Sequence, residues 1–126
     1  MERNENNASI AKLVEMLRYR RPAGSATENE FINTFIDPIV SGFQDSGIDT
    51  FGNRWCIVRD AEGYAPPILF TSHTDTVHHF DGKQEVAYDE EMGIIMLADT
   101  NNGSCLGADD GAGVWLMLEM LQAAVS

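Results

Sequence analysis

Two segments of the chain contain the side chains best suited to chemistry. In the first, His73 and Asp75 stand two residues apart, shortly after the apolar run Ile68-Leu69-Phe70. Residues two apart on an extended segment point to the same side, so this imidazole and this carboxylate can face one site. In the second, Asp109 and Asp110 lie among glycines and alanines that let backbone come close. Catalytic zinc sites take His, Asp and Glu ligands, so the two segments together predict a metal site.

A metal is not the only interpretation of the second segment. Residues 114–121 are apolar and predict a buried helix, and an aspartate is favoured at the start of a helix. On this alternative interpretation, Asp109 or Asp110 merely caps the helix and binds no metal. The first segment gives independent support for chemistry. Its apolar run predicts a strand buried on both faces, and ligands of open α/β sheets lie at the carboxyl ends of strands.

Two helices are predicted to cover the sheet. Apolar residues recur at three- and four-residue steps over residues 8–20, and the basic run Arg18-Tyr19-Arg20-Arg21 suits a solvated carbonyl end of that helix. Thr27 and Glu30 have the spacing of a capping box and predict the second helix. Pro38 removes a backbone donor and is expected to kink or divide that helix.

Short strands are predicted on both sides of the histidine segment. Residues 48–58 read as a hairpin around Gly52-Asn53, whose residues tolerate positive φ. Residues 85–88 and 94–97 also have strand character, and turn formers at 99–103 close the second run. The pattern predicts one α/β domain over residues 1–126, with a mixed β-sheet flanked by helices.

Charge and composition narrow the possible functions. The 126 residues are 44% hydrophobic and 22% charged with a formal charge of −12, which disfavours binding to nucleic acid and to anionic membranes. No window has the ~20 apolar residues of a membrane span, and the polar start does not resemble a signal peptide. We therefore expect a cytoplasmic protein. Cys56 and Cys105 are expected to be reduced, and the adjacent His78 and His79 to be rim contacts or without a role, because neighbours on a strand face opposite sides.

Together the two motifs resemble a known family. Ser72-His73-Thr74-Asp75-Thr76-Val77, followed by Leu106-Gly107-Ala108-Asp109-Asp110-Gly111-Ala112-Gly113, is similar to the N-terminal part of the M20 metallopeptidases, closest to the peptidase T-like or tripeptide aminopeptidase branch. The resemblance implies that His73 binds one of two Zn²⁺ ions, that Asp75 holds and polarises His73, and that Asp109 bridges both ions. Asp110 would be a neighbour and not a ligand. Many relatives carry a basic residue at the position of Gly111.

The resemblance also implies a zinc-dependent hydrolase that cleaves amide bonds of short peptides, or of N-acyl amino acids, with metal-activated water. The general-base glutamate and the later ligands of the family have no counterpart in this sequence. We therefore expect a truncated catalytic domain that binds zinc weakly and has negligible activity alone. If the protein has a protein partner, we expect that partner to be a second copy of the same chain or a different chain that completes the site. The alternative is a non-catalytic fragment, an interaction module or one half of a split enzyme.

Overall fold

The computed structural model describes residues 2–64, 66–98 and 105–125. It contains four α-helices, one π-helical turn and four short strands. In chain order they are α1 (Glu2–Leu17), α2 (Ala26–Phe31), the π-helical turn (Ile32–Ile36), α3 (Asp37–Val40), β1 (Ser46–Ile48), β2 (Arg54–Cys56), β3 (Val86–Asp89), β4 (Ile94–Leu97) and α4 (Ala108–Ala124). The α/β class is therefore confirmed.

The first helix buries the apolar stripe that its sequence predicts. Leu13, Met16 and Leu17 are buried one turn apart, and α1 packs against α4. The helix ends at Leu17, three residues earlier than expected, because the basic run leaves it and crosses to residues 76–84. There Arg20 N donates to Gly82 O (2.9 Å), and Gln84 N donates to Arg18 O (2.7 Å).

The second helical region begins and divides for local reasons. Ser25 caps α2 by accepting a hydrogen bond from Glu28 N (3.1 Å), so a capping interaction exists but lies two residues before the predicted Thr27–Glu30 pair. The Thr27 hydroxyl instead accepts from Gly82 N (2.6 Å). Pro38 cannot donate a helical hydrogen bond, and the region is divided by the π-helical turn immediately before α3, as the sequence predicts.

The strands form two separate antiparallel pairs. β1 pairs with β2, with Gly47 opposite Trp55, and β3 pairs with β4, with Tyr88 opposite Ile95. The first turn has the predicted glycine in the left-handed region, Gly52 at φ +87°. The predicted hairpin around Gly52 is confirmed, and the two runs predicted as strands, residues 85–88 and 94–97, pair with each other as a second hairpin that the sequence analysis did not predict. A single mixed sheet is not formed within the described residues, because neither pair shares a ladder with the other.

The segment expected to be a central strand has another structure. Residues 66–75 form no helix and belong to no strand ladder, and Ile68, Leu69 and Phe70 are 73%, 87% and 53% exposed. The prediction of a strand buried on both faces is therefore wrong here. Apolar composition favours a buried strand only where neighbouring strands complete its hydrogen bonds, and the described part of the chain places none beside these residues.

The core lies among the helices and is mostly aromatic and aliphatic. Tyr19, Phe31 and Phe35 form a cluster with ring centroids 5.4–5.9 Å apart. Val114 and Leu118 of α4 complete it, whereas Leu116 and Met120 on the same helix stay exposed. The expectation of a wholly buried helix is thus met on one face only. No described helix has the length and apolarity needed to cross a bilayer.

Candidate metal site

The structure brings the two predicted motifs together. His73 lies in the segment 66–75, and Asp109 lies 36 residues later in the first turn of α4. His73 Nε2 is nevertheless only 3.2 Å from Asp109 Oδ1. Gly107, at φ +82°, is the N-cap of α4, and the backbone at Asp109 and Asp110 departs from helical geometry with a cis peptide bond between them. The Asp109 carboxylate therefore extends from the helix start toward the imidazole and forms no side-chain cap.

Asp75 fixes the orientation of the His73 ring. The backbone carbonyl of Asp75 lies 2.9 Å from His73 Nδ1, and its carboxylate Oδ1 lies 3.2 Å from the same nitrogen. A carbonyl oxygen can only accept, so Nδ1 carries the proton. In the neutral ring Nε2 is then the lone-pair nitrogen, and it points at Asp109. This is the arrangement in which metal-binding histidines are commonly held by a carboxylate or carbonyl behind them.

The spacing of the two donor atoms fits one zinc ion. Ligands bound at 2.0–2.1 Å in a tetrahedral site are separated by roughly 3.3 Å, and His73 Nε2 and Asp109 Oδ1 are 3.2 Å apart. The donor set of one imidazole and one carboxylate also suits that ion. Within the described residues, however, no group of three or more His, Cys, Asp and Glu side chains is arranged to hold a metal. The described residues of the cleft therefore offer two candidate ligands and not a closed site.

Neighbouring acidic groups change the pKa of His73. Desolvation by itself lowers it, but the Asp75 carbonyl, the hydrogen bond to Asp109 and the negative charges of Asp75 and Asp110 outweigh that effect and raise the pKa of His73 above its ordinary value. In the metal-free chain the protonated ring donates to Asp109. A divalent cation competes with that proton for the same nitrogen, so metal binding at this pair is expected to release a proton.

A cleft of about 270 Å³ opens beside the pair. His73, Asp75 and Asp109 lie on one side of it, and Val77 and Leu106 contribute apolar wall. The side chain of Asp109 is 97% exposed and that of His73 53%, so both ligand atoms are reachable from solvent. The cleft can therefore admit a cation together with a small solute.

A buried arginine lies beneath the cleft, which the sequence did not indicate. Arg21 is 0% exposed, so the expectation of a solvated helix end is wrong for this residue. Its Nε donates to Thr74 O (2.7 Å) and its Nη2 to Gly107 O (2.8 Å). Burial lowers its pKa to about 10, an effect that Cys105, Glu28 and Asp75 partly offset. The side chain therefore remains a cation at neutral pH.

Next to this arginine is a second layer of buried polar groups. His78 Nε2 donates to Cys105 O (2.9 Å) and lies 3.1 Å from Gln84 Oε1, while its Nδ1 accepts from the Thr76 hydroxyl. Gln84 Nε2 in turn donates to Leu17 O (3.0 Å). All these groups are satisfied, so the histidine is neutral with its proton on Nε2. Burial lowers the pKa of His78, and the charges of Arg21 and Arg20 act in the same direction.

The histidine pair and the cysteines are only partly as expected. His79 is exposed, in accord with a minor role, whereas His78 is buried and structural and not a rim contact. Cys56 and Cys105 are free thiols, as predicted, and Cys105 lines the cleft. The loop predicted at residues 99–103 lies outside the described residues. No protein-family model, curated protein or solved structure matches the chain.

Proposed function

We propose that this chain carries part of the site of a zinc-dependent hydrolase of the M20 peptidase type, which cleaves amide bonds of short peptides with metal-activated water. The observation that carries the proposal is the 3.2 Å separation of His73 Nε2 and Asp109 Oδ1, two atoms brought together from distant segments at the spacing of ligands on one ion. The resemblance of the two motifs to that family supplies the reaction class.

Each residue of the pair has a defined task. His73 offers Nε2 as the nitrogen ligand because Asp75 keeps the ring proton on Nδ1. Asp109 offers a carboxylate with two oxygens, which is the group that bridges a pair of ions. Zinc, when bound, lowers the pKa of water to about 7 and polarises a carbonyl. Asp75 touches neither substrate nor metal in this scheme and acts through His73.

The cleft fits a small amide substrate. Its volume of about 270 Å³ is at the lower end of small-molecule sites, and the apolar side chains of Val77 and Leu106 can contact one residue of a peptide or the acyl group of an N-acyl amino acid. The His73 and Asp109 side of the cleft would then face the scissile amide. A short peptide is accordingly the substrate class we favour.

Further ligands and a general base have to come from elsewhere than the described residues around this cleft. A complementing chain or a second copy is one source that the structure itself suggests. The exposed run Ile68-Leu69-Phe70 supports such a partner, because solvated apolar side chains of this size commonly mark interaction surfaces. Ser72 Oγ contacts Met117 Sδ at 3.0 Å, which puts the run beside α4 and its exposed Leu116.

The same exposed run favours a second candidate function, a non-catalytic interaction module or one half of a split enzyme. Sedimentation of the wild-type chain and of Phe70→Ser tests it. Phe51→Ser is the matched control, because Phe51 is 90% exposed but belongs to the turn between β1 and β2. Self-association that weakens with Phe70→Ser alone would support an interaction surface, and a monomer in all three samples would contradict it.

Zinc titration calorimetry tests the metal proposal directly. His73→Gln and Asp109→Asn should each abolish the heat of zinc binding, and His79→Gln should leave it unchanged because that ring is exposed outside the cleft. An aminopeptidase assay on the isolated chain is expected to give negligible turnover. Zinc binding that survives both ligand substitutions would show the assignment wrong, and robust turnover would show that the site is not incomplete as proposed.

A further inference from the structure

We propose that Arg21 is a positioning residue for the candidate metal site, which holds the segments carrying His73 and Asp109 at the separation that one ion requires. The inference rests on the proposed function, because a separation matters only if the two side chains share a ligand. It concerns a buried residue beneath the cleft whose side chain forms no hydrogen bond to either the His73 or the Asp109 side chain.

The burial of Arg21 is the first reason. The guanidinium is fully buried and forms no ion pair with a carboxylate among the residues that the structure describes. Burial of a cation that forms no direct ion pair is unfavourable, even with Glu28 and Asp75 near enough to offset part of the effect, and an apolar side chain would fill such a space at lower free-energy cost. Core filling is therefore a poor account of this residue.

The choice of hydrogen-bond partners is the second reason. Nε donates to the carbonyl of Thr74, the residue between His73 and Asp75, and Nη2 donates to the carbonyl of Gly107, the N-cap of the helix that carries Asp109. A guanidinium is planar and rigid. The two carbonyls, and with them the segments that carry His73 and Asp109, are thus held side by side on one edge of a rigid group.

The guanidinium is itself held in place from α1 and α2. Nη1 donates to Tyr19 O (3.1 Å) and Met16 O (3.4 Å), and the Phe31 ring lies 4.4 Å from the guanidinium carbon. The backbone of Arg21 also pairs with Thr76, since Thr76 N donates to Arg21 O (2.7 Å). Displacement of the side chain would consequently move the cleft segments relative to the helices.

Gly111 leaves the room that the guanidinium needs. A Cβ at this position would lie 2.8 Å from Arg21 Nη2 and 3.1 Å from Leu17 Cδ2. Gly111 N donates to Gly107 O (3.0 Å), the same oxygen that accepts from Nη2. A methyl group at position 111 would therefore displace Nη2 from Gly107 while keeping the charge of Arg21.

Arg21→Lys tests the positioning role, with Arg54→Lys as matched control. Arg54 also joins two elements, through bonds of 2.9 and 3.2 Å to Asp37, but it lies away from the cleft. A lysine keeps the charge and loses the fork. In cobalt titrations of the full chain, Arg21→Lys should weaken Co²⁺ affinity by about tenfold and alter the visible absorption of the bound ion. Arg54→Lys should keep both, with a comparable loss of melting temperature.

A metal-free measurement separates this proposal from the proposed function. In the chain without metal, the His73 ring Hε1 should show a nuclear Overhauser contact with the Asp109 Hβ protons, and Arg21→Lys should abolish it while Arg54→Lys retains it. If the wild-type chain binds no Co²⁺, the proposed function fails but this contact still decides the role of Arg21. Its persistence in Arg21→Lys would overturn the positioning role.

If Arg21→Lys does not fold, Gly111→Ala tests the same positioning role, because this variant retains the arginine. Gly111→Ala should lose the nuclear Overhauser contact between His73 and Asp109. If the wild type binds Co²⁺, the affinity of Gly111→Ala for Co²⁺ should be about tenfold lower. Unchanged contact and affinity in folded Gly111→Ala would contradict the proposal. Loss of affinity in strict proportion to lost stability across all variants, Arg54→Lys included, would also contradict it and assign Arg21 a purely structural role.

Discussion

Two histidines five residues apart on one segment have opposite environments. The His73 side chain is 53% exposed at the cleft, whereas His78 is 5% exposed beneath it. Desolvation acts on both, but hydrogen bonds to Asp75 and Asp109 overcome it and raise the pKa of His73, while burial prevails and lowers the pKa of His78. One imidazole is available to a cation, and the other is a neutral structural group.

The difference defines two layers of the molecule. The rim of the cleft has open, solvated groups, His73 with the carboxylates of Asp75 and Asp109, which under the proposed function would exchange a proton for a metal. The supporting layer, made of Arg21, Thr76, His78 and Gln84, is buried and polar, with its hydrogen bonds directed largely at backbone carbonyls. Buried polar networks of this kind fix geometry strongly when complete and are costly when broken. Substitutions should therefore affect stability in the supporting layer and ligand binding at the rim.

Among substitutions between uncharged residues, Gln84→Leu is expected to lower the free energy of unfolding most. Gln84 Nε2 donates to the carbonyls of Leu17, Cys105 and Leu106 at 3.0–3.2 Å, and leucine leaves these buried acceptors short of a donor. The free energy of unfolding in urea should fall by about 3 kcal/mol. The same change at the exposed Gln122 should alter it by less than about 0.5 kcal/mol. Equal effects at the two positions would remove the distinction between supporting layer and surface.

A smaller loss is expected for Thr76→Val, which keeps the shape of the side chain. The hydroxyl accepts from Arg21 N (3.1 Å) and donates to His78 Nδ1, so valine removes both bonds and leaves these two buried groups only their long 3.4 Å contact with each other. The free energy of unfolding should fall by about 1–2 kcal/mol. Thr50→Val, at an exposed turn position, is the control and should be near neutral. A neutral Thr76→Val would mean that water enters the supporting layer.

The sequence indicates the residues of the rim because each of the two motifs is itself local. The two-residue spacing of His73 and Asp75 and the small residues around Asp109 are visible in the letters, and the structure joins them. The helices, the hairpin around Gly52 and the division of the second helical region at Pro38 also follow from local rules.

The supporting layer was not predictable in the same way. A basic residue after a helix is usually solvated, and only the tertiary structure reveals that Arg21 turns inward to carbonyls 53 and 86 positions away. The strand expected at residues 68–70 failed for a related reason, since burial of a strand depends on neighbours that its own letters do not contain. Long-range hydrogen bonds decide both cases.

The pH dependence of stability should separate the two histidines. The pKa of His78 is lowered from 6.5 by burial, with Arg21 and Arg20 opposing its protonation, so the unfolded chain binds a proton more readily than the folded chain. The stabilisation is complete above about pH 6.5 and is lost as the pH falls from there through the folded pKa. His78→Gln should flatten this decline in urea unfolding between pH 7 and 5, and His79→Gln should leave it as in the wild type.

The smallest expected effect is the contribution of His73 to the free energy of unfolding, which changes with pH in the opposite direction to that of His78. The pKa of His73 is raised from 6.5, so its contribution is complete below about pH 6.5 and is lost as the pH rises through the folded pKa. Because the ring is half exposed, the change should be at most about 0.5 kcal/mol in the presence of a chelator. His73→Gln should remove it. If the variant and the wild type had the same slope, the hydrogen bond to Asp109 would be absent in the metal-free chain, and only a shared cation would then hold the two side chains together.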